Sequence, residues 1–454
     1  MYKRCKKSLR SGSLLLLLVT GVALCFACSR EKEGAGSGPG GSNGPGPGTP
    51  NGYVYDTAGL LYKSYTGLVM AGYQGWFAAE GDGSNRGWYH YQGPGGFYPG
   101  NTNVDFWPDI TEYSKRYKSP FRFADGSDAY LYSPYDEESV DLHFRWMKEY
   151  GIDGVHMQRF VGEIKPSNPS GRRHFNKVLA NALKAAKKYG RAISVMYDLS
   201  GCTSADLDYL EADWKELQTL FHLADNRENP GYLYHNGKPL LTIWGVGFND
   251  GRKYSIGDVS RLVDKLKGED NRYAIMLGVP YYWRTFGSDT EKDPALHELI
   301  RKCDIVMPWA VGRFDSKAYE PRNVYDDLQW CRSNKVSYVP LVFPGFSWAN
   351  MHKNPAIYHQ VPRLKGDFLW QQIAGAKGAG AQSLYVAMFD EIDEGTAIFK
   401  TANESNTPLN GNEGLRFAGI EDGLPTDTYL WLTGQGANWF HGASGYGRTK
   451  PVRN

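Results

Sequence analysis

The feature that most constrains the fold is a regular alternation of short apolar runs with amphipathic stretches from residue 67 onwards. Each run has the length of a buried strand, and each following stretch spaces its apolar residues as a helix does. Repeated strand–helix units of this kind build a parallel sheet. The expected strands are residues 67–73, 154–158, 192–197, 239–244, 273–279, 304–308, 337–342 and 384–389.

The amphipathic stretches carry helix start and stop signals. The stretch 136–150 begins with acidic residues and is followed by Gly151, and 174–190 ends with lysines and a glycine. Both patterns are typical of helix ends. The other expected helices are 206–223, 255–267, 294–302, 325–334 and 365–377, and 426–432 is expected to begin a last one.

About eight strand–helix units predict an α/β fold, a (β/α)8 TIM barrel with extended βα loops. An open doubly wound sheet is the structural alternative. Against it, the sequence MAGYQGWF after the first strand lacks the glycine-rich turn of a dinucleotide site. The long segment 77–134 is expected to be an extended first βα loop that forms a wall of the site.

The first 52 residues have the composition of an export signal and a tether. Basic residues are followed by the apolar run 14–24, which is too short to span a bilayer. Ala27 then precedes Cys28, which predicts cleavage before Cys28 and acylation of its thiol; an ordinary cleaved signal is the alternative. The sequence SREKEG after it resembles the export tag of bacterial surface lipoproteins. We expect an outer-membrane lipoprotein that faces the periplasm or the cell exterior.

The chain therefore divides into a signal peptide at 1–27, a Gly/Pro/Ser-rich tether at 28–52 and one barrel domain at 53–454. Its 51 basic and 49 acidic residues are spread along the chain, whereas nucleic-acid binding needs a concentrated basic face. We expect no nucleic-acid partner. Cys202, Cys303 and Cys331 follow Cys28 without zinc-ligand spacing, so we expect buried thiols and no metal or organic cofactor.

Polar and aromatic side chains gather where the predicted strands end, which is where barrel enzymes carry their chemistry. The chain has 13 Trp and 31 Tyr, and such rings suit the faces of sugars. Packing at the barrel rim is the alternative for any single ring. The candidate substrate-binding residues are Tyr73, Gln74, Trp76, His156, Gln158, Tyr197, Asp198, Trp244, Tyr282, Trp283, Trp309 and Asp390. Sugar stacking is expected of Tyr73, Trp76, Tyr282, Trp283 and Trp309.

The sharpest feature is the segment MFDEIDEGTAIF, directly after the last predicted strand. It places Asp390, Glu391, Asp393 and Glu394 within five positions. Glycosidic cleavage needs one protonated carboxyl and a second, ionised one. Crowding separates the pKa values of neighbouring carboxyls and so creates that division. A solvated acidic turn, or a cation site such as calcium, is the alternative interpretation.

This segment resembles a known family. The letters EIDEGT from Glu391 to Thr396 are similar to the signature Asn-Glu-Trp-X-Glu-Gly-Thr of glycoside hydrolase family 99, whose members are endo-acting α-mannosidases on a (β/α)8 barrel, with relatives in family 71. GYQGWF after the first strand and YVPLVFPGFSW before the last agree with it. The resemblance covers most of residues 61–400. Asp390 stands where the signature has Asn, and Ile392 where it has Trp, which bears on mannan specificity more than on reaction class.

The resemblance implies that Glu391 is the general base and Glu394 the general acid of a retaining glycosidase. In the family's mechanism the base takes the proton of the sugar's own 2-hydroxyl, and a 1,2-anhydro sugar forms that water then opens. In a conventional retaining mechanism, Asp198 is the candidate nucleophile. We expect a monomer that hydrolyses an α-linked oligosaccharide or polysaccharide at the bacterial surface. The alternatives are a non-catalytic glycan-binding lipoprotein on the same barrel and a transglycosylase.

Overall fold

The computed structural model describes residues 53–411 and 414–453, and these form the predicted (β/α)8 barrel. The predicted signal peptide, the tether and Cys28 lie outside the described residues. Among those that are described, no helix has the length and apolar character that crossing a membrane requires. The barrel strands are β1 (Val69–Tyr73), β2 (Gly154–Phe160), β3 (Ala192–Asp198), β4 (Lys238–Trp244), β5 (Ala274–Pro280), β6 (Ile305–Trp309), β7 (Ser337–Tyr338 with Leu341–Val342) and β8 (Leu384–Val386).

The barrel closes through β7, which is split in two. Its first half pairs in parallel with β6 and its second half with β8, and β8 pairs with β1. Between the halves lies Pro340, which has no N–H to donate to a neighbouring strand. Its carbonyl accepts a hydrogen bond from Tyr385 N at 3.0 Å, while Val339 N donates to Val306 O at 3.0 Å. Every strand of the barrel therefore has a neighbour on both sides, which leaves no open edge.

Within residues 53–411 and 414–453, eight helices of eight or more residues cover the barrel, and most lie where the sequence predicts them. Gly151, at a φ of 81°, ends the first by donating its N–H to the last carbonyls. The second helix begins at Pro169, five residues before its predicted start, because the Asn168 side chain caps it by accepting a hydrogen bond from Gly171 N. The helices are α1 (Glu137–Tyr150), α2 (Pro169–Tyr189), α3 (Leu207–Phe221), α4 (Ile256–Lys267), α5 (Ala295–Lys302), α6 (Pro321–Asn334), α7 (Asp367–Ala379) and α8 (Thr428–Phe440).

Several smaller elements decorate the loops. The predicted long first loop contains a two-stranded hairpin, Tyr117–Arg122 with Asp128–Leu131, which the sequence analysis did not anticipate. Short helices lie at Val161–Ile164 and Ala349–His352, and the short strand Tyr234–His235 pairs with β4. The three cysteines beyond residue 53 are buried free thiols, as predicted.

Side chains alternate along each barrel strand and separate two cores. One core lies between the strands and the helices, and the other fills the barrel interior. Two strand glycines make room for large interior side chains: a Cβ at Gly72 would lie 2.1 Å from Tyr385 Oη, and one at Gly278 would lie 2.4 Å from Trp244 Cδ1. The interior core includes Met70, Met196, Leu240, Met276, Met307 and Tyr385.

Candidate active site

The four carboxylates of the acidic segment follow β8 at the carboxyl-terminal mouth of the barrel. Asp390, Glu391 and Asp393 are at most 3% exposed, whereas Glu394 is partly exposed. The backbone folds the segment back on itself, because Thr396 N donates to Glu391 O at 3.1 Å. The loop therefore buries three carboxyls and presents Glu394 to the opening.

The Asp390 side chain binds backbone N–H groups of the chain itself. Its two carboxylate oxygens accept hydrogen bonds from Gln74 N at 2.7 Å and Gly75 N at 2.9 Å. Burial nevertheless raises the pKa of Asp390 to about 7. The prediction that Asp390 binds substrate is wrong, because the side chain is fully buried and both oxygens are occupied. In the described ranges 53–411 and 414–453, no three or more His, Cys, Asp or Glu side chains are grouped to hold a metal ion.

Glu391 lies between two hydrogen-bond donors. Gln74 Nε2 donates to its Oε1, and the Thr396 hydroxyl donates to its Oε2. Burial raises the pKa of Glu391 to about 8, and the charge of Asp393 adds to that rise, while the two donors oppose it. Donors that bind the ionised form are the partners a base needs.

Glu394 has the opposite environment. Burial raises its pKa well above the ordinary value, and the charges of Glu391, Asp393 and Asp198 raise it further. Each of these influences favours the protonated form. The pKa values of both glutamates are thus raised, but only Glu391 has hydrogen-bond donors that oppose the rise.

Asp393 completes the acidic group at the edge of the long first loop. Its Oδ2 lies 3.7 Å from His90 Nδ1, but burial lowers the pKa of His90, so the imidazole is neutral and forms no ion pair at neutral pH. Burial raises the pKa of Asp393 to about 7. The mouth is therefore rich in carboxyls that retain protons.

The wall opposite the acidic loop is formed by side chains at the ends of β3, β4 and β6. Asp198, Trp244 and Trp309 are partly exposed there. The indole rings of Trp244 and Trp309 meet edge to face with centroids 5.1 Å apart, and Trp244 Nε1 is a buried donor without a partner among the described residues. Tyr282 is also partly exposed. These four residues have surface available for a substrate, and their role remains a prediction.

The floor of the mouth is polar. Gln158 points inward from β2, and its Nε2 donates to Tyr385 Oη at 3.1 Å. Burial raises the pKa of Tyr385 well above its ordinary value, and the charge of Glu391 raises it further, so the phenol stays protonated. Gln158 is 6% exposed, and its role in binding substrate remains a prediction.

Three predicted site residues point away from the mouth. Tyr73 and Tyr197 lie on the helix-facing side of their strands and are fully buried. The Tyr197 hydroxyl donates to Asp213 at 2.6 Å, and Trp283 is fully buried with its Nε1 3.2 Å from Asp327. The prediction that these rings bind or stack on sugars is wrong, because helices cover them.

Two further predictions are corrected by burial. His156 faces the barrel interior with no exposed surface, and its Nδ1 is hydrogen-bonded to the Ser194 hydroxyl at 2.6 Å. Trp76 is stacked between His90, at 3.9 Å, and Phe160, at 5.0 Å. Both faces of its indole are covered, so it cannot stack on a sugar.

Sequence reasoning missed the residues that hold the acidic loop in place. The buried Arg363 donates through Nη2 to Gly395 O at 2.8 Å and Ala397 O at 2.7 Å. Its guanidinium lies 4.5 Å from the ring centroid of Phe106 and 4.4 Å from that of Tyr429. A lone arginine in a loop carries no sequence signal for this function.

The long first loop supports the same segment from the other side. The backbone N–H groups of Asp105 and Phe106 both donate to Ile392 O, at 3.0 and 2.9 Å. The Asp105 carboxylate in turn accepts from Ala349 N at 2.8 Å and Asn350 N at 2.7 Å. Three loops are thereby joined around the carboxylates.

No protein-family model and no curated protein matches the chain. Solved structures do match it. The GH99 endo-α-mannosidase from Bacteroides thetaiotaomicron has a TM-score of 0.59 and 16% sequence identity, over 84% of this chain and 99% of that one. The same enzyme in complex with Bis-Tris-propane has a TM-score of 0.57 and 16% identity, over 82% and 97%. The chain is similar to these structures in fold over nearly their whole length.

Proposed function

We propose that the protein is a glycoside hydrolase that cleaves an α-linked glycan, with Glu394 as general acid and Glu391 as general base. The observation that carries the proposal is the difference between their surroundings. Two donors hold Glu391 as an acceptor, whereas every influence on the pKa of Glu394 raises it. A protonated acid and a hydrogen-bonded base on one loop are the groups that glycosidic cleavage requires.

The chemistry follows from these two roles. Glu391 accepts the proton of the sugar's 2-hydroxyl as that oxygen attacks C1, and Glu394 protonates the leaving oxygen as the C1–O bond breaks. The product is a 1,2-anhydro sugar. Glu394, now ionised, takes a proton from water as the water attacks C1, and Glu391 returns its proton to O2. Both carboxyls regain their first state, and the anomeric configuration is retained.

The position of the pair supports this pathway over a conventional retaining one. Both glutamates lie on the loop after β8, only three residues apart, whereas Asp198 lies at the end of β3. Asp198 is close enough for its charge to raise the pKa of Glu394. If Asp198 were the nucleophile, Asp198→Asn would abolish glycosyl transfer completely. We expect that variant to keep measurable turnover.

The substrate and location are also proposals. The matching structures are named as endo-α-mannosidases, which makes an α-mannan the first polymer to test. The departures at Asp390 and Ile392 lie beside the catalytic glutamates, so the panel must extend to other α-linked glycans. We propose that acylation of Cys28 anchors the enzyme to the outer membrane, facing the periplasm or the cell exterior.

The test is a reducing-sugar screen of the wild-type protein and Glu394→Gln against mannans, glucans, xylans and host glycans. We expect the wild type to release reducing ends from an α-linked substrate, with the configuration retained by proton NMR, and Glu394→Gln to be about 10²- to 10⁴-fold slower. The matched control is Glu298→Gln, which changes a 73% exposed glutamate and leaves turnover unchanged.

Three outcomes would redirect the proposal. Unchanged turnover in Glu394→Gln removes this residue as the acid. Glycan binding without any release of reducing ends favours a non-catalytic binding lipoprotein. Products that lengthen as the acceptor concentration rises favour a transglycosylase.

A further inference from the structure

Gln74 is a hydrogen-bond partner of the proposed base that comes from a distant part of the chain. It follows β1 and lies 317 positions before Glu391, yet its amide Nε2 donates to Glu391 Oε1. An ionised carboxylate oxygen only accepts hydrogen bonds, so the amide nitrogen is the atom of Gln74 that suits the ionised, basic form of Glu391. The orientation of the Gln74 amide is therefore determined by the base.

The backbone at this turn is held from two sides. Asp390 accepts the N–H groups of Gln74 and Gly75, and His174 of α2 is hydrogen-bonded through Nε2 to Gly75 O at 2.8 Å. Gly75 has a φ of 61°, and a Cβ there would lie 2.9 Å from Val178 Cγ1. The turn thus requires glycine and fixes the backbone from which the Gln74 side chain extends.

The second atom of the Gln74 amide is unused. Gln74 is 6% exposed, and its Oε1 is a buried acceptor without a hydrogen-bond partner among the described residues. A buried acceptor without a partner is costly, so one that persists beside a catalytic group calls for a ligand donor. A sugar hydroxyl is such a donor.

We propose that Gln74 couples the bound sugar to the base: its amide N–H holds the Glu391 carboxylate, and its amide oxygen accepts a hydroxyl of the sugar. The inference rests on the proposed function and deepens it. Gln74 then has two separable tasks, one in orienting Glu391 and one in binding substrate.

Two substitutions separate these tasks. Gln74→Leu removes both the donor and the acceptor, so kcat falls about 10- to 100-fold through misplacement of the base and KM rises up to about 10-fold. Gln74→Glu keeps an acceptor but removes the donor, so KM stays near the wild-type value while kcat falls.

The pH profile provides a readout that a purely structural role would not change. The Gln74 donor lowers the pKa of Glu391, so its loss moves the acidic limb of the kcat/KM profile to higher pH. Gln74→Glu adds a negative charge and moves it further than Gln74→Leu. The matched control is Gln435→Leu, which removes a partly buried amide in α8 whose partner is Tyr446, and leaves the profile unchanged.

The titration of Glu391 is also measured without turnover, by carbon-13 NMR of labelled glutamate carboxyls, with Glu391→Gln identifying the signal. A shift to higher pH in both Gln74 variants supports the inference even if the wild type cleaves no glycan, which would end the proposed function alone. An unmoved titration, or an active enzyme whose kcat and pH profile are the same in Gln74→Leu, overturns the inference and leaves the proposed function in place.

Discussion

At the residue scale, the four carboxyls of the acidic loop are distinguished by their partners. Asp390 binds two backbone N–H groups, Glu391 binds an amide and a hydroxyl, and Glu394 faces other carboxyls. Identical chemical groups thereby acquire different tasks. Asp390 positions a turn, and in the proposed mechanism Glu391 accepts a proton and Glu394 donates one.

These carboxyls also make stability depend on pH. An acid whose pKa is raised on folding binds its proton more tightly in the folded state than in the unfolded state. Its contribution to the free energy of unfolding is complete below the pKa of the group in the unfolded state, about 4. That contribution is lost as the pH rises through the pKa of the group in the folded state. The pKa values of Asp390 and Asp393 are raised to about 7 and that of Glu391 to about 8, and the pKa of Glu394 is raised well above its ordinary value.

We therefore expect Glu394→Gln to be more stable than the wild type at pH 7–8 and equally stable at pH 4. As the pH rises, the difference in the free energy of unfolding between Glu394→Gln and the wild type should grow by up to about 1.4 kcal/mol per pH unit, since the neutral amide has no proton to lose. The measurement is Tm as a function of pH. Glu298→Gln, at the exposed site, should follow the wild-type curve. Parallel curves for Glu394→Gln would show that this carboxyl is ionised in the folded protein.

At the scale of elements, the loop after β8 depends on neighbours that come from the rest of the barrel. Arg363 binds its carbonyls from one side, and Asp105 and Phe106 bind Ile392 O from the other. The family signature has a tryptophan where this chain has Ile392, which is fully buried. Backbone contacts support the loop at this position.

Arg363→Met should loosen this loop. The substitution leaves Gly395 O and Ala397 O without donors, so we expect the free energy of unfolding to fall by about 2 kcal/mol and kcat to fall with it, because the loop carries Glu394. Arg363→Lys should recover only part of both losses, since an ammonium can donate to the carbonyls but lacks the planar guanidinium that packs on the rings of Phe106 and Tyr429. Urea unfolding and turnover are the measurements.

The control for that experiment is Arg322→Met on α6, whose side chain is 72% exposed and pairs with Asp326. Arg322→Met should lower the free energy of unfolding only slightly, because exposed ion pairs contribute little to stability. Equal losses in the two variants would mean that the contacts of Arg363 with the loop do not stabilise the protein.

At the scale of the whole molecule, the closed barrel gathers residues from seven strand ends and one long loop into a single mouth. Closure depends on β7, which changes partner at Pro340 and so joins β6 to β8. The loops on the opposite, amino-terminal side of the strands carry none of the proposed catalytic groups. This division is typical of barrel enzymes.

The proposed anchor belongs to this scale. We expect Cys28→Ser to move the protein from the membrane fraction to the soluble fraction while kcat/KM on a soluble oligosaccharide stays the same, because the tether carries none of the proposed catalytic groups. Cys303→Ser, which changes a buried thiol of the barrel, should leave the fractionation as it is. If Cys28→Ser stays with the membrane, acylation at this residue is wrong.

The amino-acid sequence alone determined the number and order of the strands, the long first loop and the position of the acidic segment after β8. Each of these is a local pattern, readable within a few turns or one strand. It could not determine which strand side chains reach the mouth, because strands of a closed parallel barrel are buried on both faces and show no polar–apolar alternation. Tyr73 and Tyr197 were misplaced for that reason. Trp283 lies in the loop after β5, where no strand pattern indicates the direction of a side chain.

Only the tertiary structure brought Gln74 to Glu391 and Arg363 to the loop beyond it. These contacts join residues that are distant in the chain, and barrel closure decides which of them meet. The assignment of acid and base rests on the same cause, because the pKa of a carboxyl is set by burial and neighbours in space. The motif places two glutamates close together in the sequence, and the folded barrel surrounds their carboxyls with different hydrogen-bond donors and charges.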